Sequence, residues 1–182
     1  MTPKGVVIHC SASRYGSIEL IDRWHAARGF RRLGNPDGPL HVGYHYLITN
    51  GRLMSSATYE KQFDGVIYRG RLEHERGAHA LGCNDWIGVC LVGKSGRFTP
   101  SQYAALWGLC GAMVVRYALV ADQVIGHCET GHERAKTDGK TCPELDMGEA
   151  REAIYAVAAC IRARMMSQEQ EPIGGPFAVP EV

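Results

Sequence analysis

The run Trp86-Ile-Gly-Val-Cys-Leu-Val92 contains no polar residue. A strand with one wet face alternates apolar and polar side chains, so an unbroken apolar run belongs in the middle of a sheet covered on both sides. Val6 to His9 is a second short, β-branched run, bounded by Gly5 and the polar Ser11-Ala-Ser13, and it places His9 at a strand end. Between the two, Ile18, Ile21 and Trp24 recur at helical spacing after Ser17, a good N-cap, until Gly29 stops the pattern. Strand and helix patterns thus interleave, which predicts an α/β fold with one mixed central sheet flanked by helices.

The remaining elements follow the same rules. His41 to Ile48, then Asn50-Gly51, then Arg52 to Met54 reads as a hairpin, because Asn-Gly tolerates the positive φ of a type I′ turn. Val66 to Tyr68 and Gln123 to Gly126 are further short strands. Thr99-Pro100 supplies a cap and a first-turn proline for a helix to about Tyr117. After Asp146, the positions Ala150, Ile154, Val157, Ile161 and Met165 outline a last helix whose start is blurred by Gly148. From Ser167 onward periodicity is lost and Gly174-Gly-Pro176 follows, so residues 1–166 are read as one domain and 167–182 as a flexible tail. The 182 residues, 45% of them hydrophobic, suffice for one core and are few for two.

Charge says little about partners. Twenty Lys and Arg against nineteen Asp and Glu leave a formal +1, with no broad field to attract nucleic acid or a membrane surface. No stretch approaches the roughly 20 apolar residues of a spanning helix. The N-terminal Met1-Thr-Pro-Lys lacks the form of a signal peptide, and seven cysteines without a CxxC pair suit reduced thiols, so a cytoplasmic location is expected.

Chemistry enters with His9 at a strand end, His127 after Val124-Ile-Gly126, and Cys142 in Lys140-Thr-Cys-Pro143. Two imidazoles and a thiolate can hold one zinc and leave the fourth position for water, as a catalytic zinc requires. Spacing by itself is weak support for that convergence. His74-Glu75 with His79 fails as a metalloprotease motif, since the histidines are five apart and Gly77 interrupts any helix. His127-Cys-Glu-Thr-Gly-His132 fails likewise.

The text around these residues is far more specific. Val7-Ile-His-Cys-Ser-Ala12, Val42-Gly-Tyr-His-Tyr46, Gly77-Ala-His-Ala-Leu-Gly-Cys-Asn84, Ile87-Gly-Val-Cys-Leu-Val-Gly93, Gly126-His-Cys-Glu129 and Lys140-Thr-Cys-Pro143 occur in this order. Together they resemble the zinc-dependent N-acetylmuramoyl-L-alanine amidases, the family of phage amidase-type lysozymes, bacterial recycling amidases and animal peptidoglycan recognition proteins, over roughly residues 5 to 150. The phage branch is the nearer match, with cysteine as the third ligand.

The resemblance implies His9, His127 and Cys142 as zinc ligands and Tyr44 and Lys140 as the catalytic pair, set in a surface groove. It implies His79 as a substrate contact or a partner of the metal-bound water, with Glu129 a lesser candidate for orienting a ligand histidine. His132, in a Cys128 to Gly139 stretch longer than in the short phage enzymes, competes with His127 as ligand. Tyr44 and His45 should alternate along a strand, one facing the packing and one the open side. Trp24, Trp86 and Trp107 are read as core, one of them free to border a sugar groove.

The implied activity is zinc-dependent hydrolysis of the bond between N-acetylmuramic acid and L-alanine in peptidoglycan. The expected setting is a phage or prophage endolysin, monomeric, held in the host cytoplasm until the membrane is breached and bacteriolytic thereafter. A cytosolic muropeptide-recycling amidase and a non-catalytic recognition module are the rivals.

Overall fold

Strand β4, Ile87–Leu91, is buried at every residue and is the middle strand of five, as its unbroken apolar character predicts. The computed structural model describes residues 2–31, 41–131 and 141–169. Among these, one sheet has the order β3-β2-β4-β1-β5, where β1 is Val6–Cys10, β2 Tyr46–Asn50, β3 Asp64–Arg69 and β5 Val124–Gly126. β1 lies parallel to both β4 and β5, β2 is parallel to β4, and β3 alone runs antiparallel, against β2. The sheet is therefore mixed.

The two-residue period of β1 sorts its side chains between the faces. Val6, Ile8 and Cys10 join the larger core, where helix α2, Pro100–Arg116, contributes Leu106, Cys110, Met113 and Val114, and helix α3, Met147–Glu169, contributes Ala150, Ile154 and Ala158. Val7 faces the other way, against Ala80 and Cys83. On that side helix α1, Ile18–Ala27, buries Ile18 and Ile21 against Leu47, Cys90 and Val92. Both faces are covered, and His9 shares the α1 side with Val7.

The caps act as expected. Ser17 Oγ accepts the Leu20 N–H, and Thr99 Oγ1 accepts the Gln102 N–H while Gln102 Oε1 accepts the Thr99 N–H. Gln102, fully buried, also donates through Nε2 to the carbonyls of Ile48 and Val92, tying the start of α2 to the ends of β2 and β4.

Three expectations are corrected. Arg52 to Met54 forms no strand, and β2 begins only at Tyr46; its antiparallel partner is β3, so the segment expected at Val66 to Tyr68 takes the hairpin's second place. A type I′ turn needs positive φ at both central residues, whereas here Gly51 has φ +76° and Asn50 ends the strand, its Oδ1 accepting the Arg52 N–H. Second, Gly148 does not blur the start of α3, because Asp146 Oδ1 accepts the N–H groups of Gly148 and Glu149. Third, α3 runs to Glu169, past Ser167, and its far end outreaches the core, leaving Met165 half exposed at 50%. Residues 170–182 of the expected tail lie outside the described residues.

All seven cysteines are free. No helix among the described residues is long and apolar enough to cross a membrane.

Candidate metal centre

The register of two neighbouring strands brings the first two donors together. Ile8 of β1 stands beside Gly126 of β5, so the residues that follow, His9 and His127, emerge side by side, with ring centroids 4.6 Å apart. The third donor is anchored by the same strand ends. The Cys10 N–H donates to Cys142 Sγ at 3.2 Å, and the Cys128 N–H donates to the Cys142 carbonyl at 2.8 Å. One donor atom each from His9, His127 and Cys142 then lies within 4.8 Å of the others. They sit at the carboxyl ends of parallel strands whose connections leave to opposite faces, where an α/β sheet opens a crevice.

His9 is almost fully buried, at 1% exposure, and its tautomer follows from the bonds behind it. His79 Nε2 lies 3.0 Å from the Trp86 carbonyl, which only accepts, so that nitrogen carries the proton. His79 Nδ1 is then an acceptor, and at 3.0 Å it takes the Nε2–H of His9. The lone pair of His9 is thereby assigned to Nδ1. Desolvation, helped by the nearby His45, pushes the His79 pKa down to about 3, so the neutral form this relay needs is the one present.

The loop that carries His79 is held as tightly as the ring. Asn84 Oδ1 accepts the N–H groups of both His79 and Ala80. The ring is wedged between two glycines: a Cβ on Gly77 would meet it at 2.4 Å and one on Gly88 at 2.6 Å. Neither Asn84 nor the Trp86 carbonyl is picked out by sequence reasoning, although the spacing of His79 and Asn84 in Gly77-Ala-His-Ala-Leu-Gly-Cys-Asn84 carried the signal.

Tyr44 is half-buried and lies between His9 and His25, at ring distances of 5.1 and 5.2 Å. Desolvation and the neighbouring Cys90 and Cys142 thiols raise its pKa well above the phenolic value, so it is an O–H donor through the physiological range. It precedes β2, and the packed side falls to its neighbour: His45 is fully buried, donating through Nε2 to the Glu75 carbonyl and accepting the Gly88 N–H at Nδ1. His45 is a structural histidine.

Glu129 ends the short 3-10 turn that starts at His127. Its carboxylate accepts the Gly126 N–H at 2.9 Å and pairs with Arg151 at 2.9 and 3.2 Å, so it braces the turn that presents His127. Lys140 and His132 lie outside the described residues. Another feature unforeseen in the sequence is Arg71, 5% exposed, which donates to the carbonyls of Val42, Arg76 and Arg31 and so links the segments leading to Tyr44 and His79.

The donor set fits a metal ion. His9 has its lone pair assigned to one nitrogen, and Cys142, pushed up by its Cys10 neighbour and by burial, needs a nearby cation to become a thiolate. The N, N, S composition suits zinc, with three protein donors leaving a position open.

The family model for N-acetylmuramoyl-L-alanine amidase matches residues 1–145. The 1,6-anhydro-N-acetylmuramyl-L-alanine amidase AmpD of Citrobacter freundii is 35% identical over 105 residues, 54% of this chain and 51% of that protein, so the chain spans about half the length of the curated relative it matches. Two solved structures share the fold. The N-acetylmuramoyl-L-alanine amidase LysC from Clostridium intestinale URNW superposes with TM-score 0.62 at 23% identity, over 84% of this chain and 85% of the other. The Ph2119 endolysin from a bacteriophage of Thermus scotoductus MAT2119 gives TM-score 0.58 at 21% identity over the same shares. With most of its length matched, and with its histidines and cysteine drawn together at the strand ends, the chain belongs to the N-acetylmuramoyl-L-alanine amidase family.

Proposed function

We propose that this protein hydrolyses the amide bond between N-acetylmuramic acid and L-alanine in peptidoglycan, with a zinc ion held by His9, His127 and Cys142. The observation that carries the reading is the convergence of those three donors within 4.8 Å at the ends of β1 and β5. Zinc in such a site polarises a carbonyl and acidifies a bound water. The chain's own groups supply the rest. His79 fixes the orientation and tautomer of His9, and Tyr44 offers a hydrogen bond to the oxygen on which charge develops. Lys140, two residues before Cys142, is assigned by the family resemblance as a cation for the same charge.

Metal analysis and mass spectrometry of digested sacculi test this together. The zinc-loaded protein is expected to release stem peptides bearing a free L-alanine amino group, leaving the glycan strands intact. Binding to sacculi without any peptide release would instead establish a recognition module.

We further propose that the enzyme acts on intact walls as a phage or prophage endolysin, waiting in the host cytoplasm until the membrane is breached. Cysteine as third donor supports the phage branch. The likeness to AmpD favours a recycling role on soluble anhydro-muropeptides instead. Comparing rates on sacculi and on soluble fragments decides between them, with sacculi expected to be the better substrate. Lysis of expressing cells only after the membrane is permeabilised is expected, and spontaneous lysis would count against the waiting step.

A further inference from the structure

The sulfur of Cys142 lies against a second cysteine that the chemistry above does not use. Cys10 ends β1, one residue beyond His9, and the strand's alternation turns its side chain to the opposite face, into the core beneath α2 and α3. Cys142 reaches that same face from the loop before α3 and packs on the same cluster. Its Sγ accepts the Cys10 N–H at 3.2 Å and lies 3.9 Å from the Cys10 carbonyl oxygen. The two thiols are also hydrogen-bonded to each other. Sulfurs 132 residues apart in the chain thus meet at the end of β1.

The neighbouring cysteines are set differently. Cys128 bonds to Cys142 through main-chain atoms, its N–H donating to the Cys142 carbonyl. Cys90 lies in the core on the α1 side, where its S–H donates to the Leu91 carbonyl. Cys160 is exposed on α3.

We propose that Cys10 and Cys142 are a redox-closing pair: a small-molecule disulfide such as oxidised glutathione joins them into a protein disulfide, which takes the sulfur donor from the metal centre and reversibly disarms it. Cys142 attacks one sulfur of the small disulfide and expels the other half, giving a mixed disulfide; Cys10 then attacks the Cys142 sulfur and expels the second half. Two protein thiols are oxidised and one disulfide is reduced to two thiols. Both thiol protons leave on those products, and where Cys142 begins as the thiolate the second is drawn from water. His9 and His127 alone then remain, short of the three protein ligands that a catalytic zinc takes. The effect on the metal rests on the ligand set proposed above, whereas the cross-link itself does not.

The zinc-loaded full chain, incubated with rising oxidised glutathione, tests this. Free thiols are trapped by alkylation and the digest is mapped by mass spectrometry, while a chromogenic chelator reads released zinc. Peptides joined through Cys10 and Cys142 are expected, with zinc set free in step, and both changes reversed by dithiothreitol and added zinc. A neighbouring thiol acts at high effective concentration, so Cys10→Ala should keep its zinc to about tenfold more oxidant or beyond. The map of the parent protein carries the test should that variant fail to fold. Cys10 and Cys142 left unlinked in parent protein that has lost its zinc, or zinc lost at the same oxidant concentration from parent and folded Cys10→Ala, overturns the inference. A Cys10–Cys142 link with zinc content unchanged would establish the pair and overturn the ligand set.

Discussion

The Nε2–H of His9 donates to Nδ1 of His79 across 3.0 Å, and His79 in turn donates to the Trp86 carbonyl. The relay ties a strand-end histidine to a loop seventy residues away and leaves the lone pair of His9 on one nitrogen. Replacing His79 by Gln should lower metal affinity about 10- to 100-fold, the usual cost of losing such a partner. Competition with a chromogenic chelator measures it. An unchanged affinity would show that the ring of His9 is held by packing alone.

Cys142 and Cys10 touch, yet their tasks differ. In the proposed centre Cys142 offers sulfur to the metal, while Cys10 supplies a backbone N–H that any residue retains. Cys142→Ser is therefore expected to lose metal affinity by more than about a hundredfold, beyond the loss of an outer partner. Cys10→Ala should keep a full equivalent of zinc. Metal content after dialysis reads both, and a zinc-replete, active Cys142→Ser protein would refute the ligand set.

Tyr44 is set beside His9 with its phenol held protonated. Tyr44→Phe should reduce kcat about a hundredfold, the scale for removing one donor to a developing oxyanion, with zinc content unaltered. If the variant turns over like the parent, Tyr44 is only a packing residue.

Acid should destabilise the fold before the carboxylates titrate. His25 is 5% exposed and accepts the Gly43 N–H at Nδ1. Burial, with the charges of Arg28 and Arg71, brings its pKa down from 6.5 to about 4. Because the folded value is the lower one, the unfolded chain takes up the proton first. The stabilisation is complete above pH 6.5 and is lost as pH falls toward 4, amounting to about 3 kcal/mol for this residue. Urea unfolding at pH 7.5 and pH 5 measures the slope, and His25→Gln should flatten it. Equal slopes in parent and variant would remove His25 from the account.

Much of this was legible in the chain. The unbroken run Trp86 to Val92 identified the central strand because burial on both faces leaves no polar position, and Ser17 and Thr99 marked helix starts because their oxygens satisfy N–H groups that every helix leaves unpaired. The set His9, His127 and Cys142 could be named from ordered motifs, since each donor sits in a local sequence of its own. The hairpin was misread because Asn50 can serve either as a turn residue or as a strand end whose side chain bonds to the next backbone, and the choice depends on where β3 docks.

Local pattern in the chain is enough to name the candidate donors, the strands that His9 and His127 follow or end, and the alternation that sends His9 to one face of β1. The rest depends on packing. Pairing of β1 with β5 in one register makes His9 and His127 neighbours, and the His79 relay and the Glu129–Arg151 pair join residues far apart in the chain. Short-range pattern reports what one segment buries; a field or a coordination set is a sum over segments, and only their packing fixes the distances on which it depends.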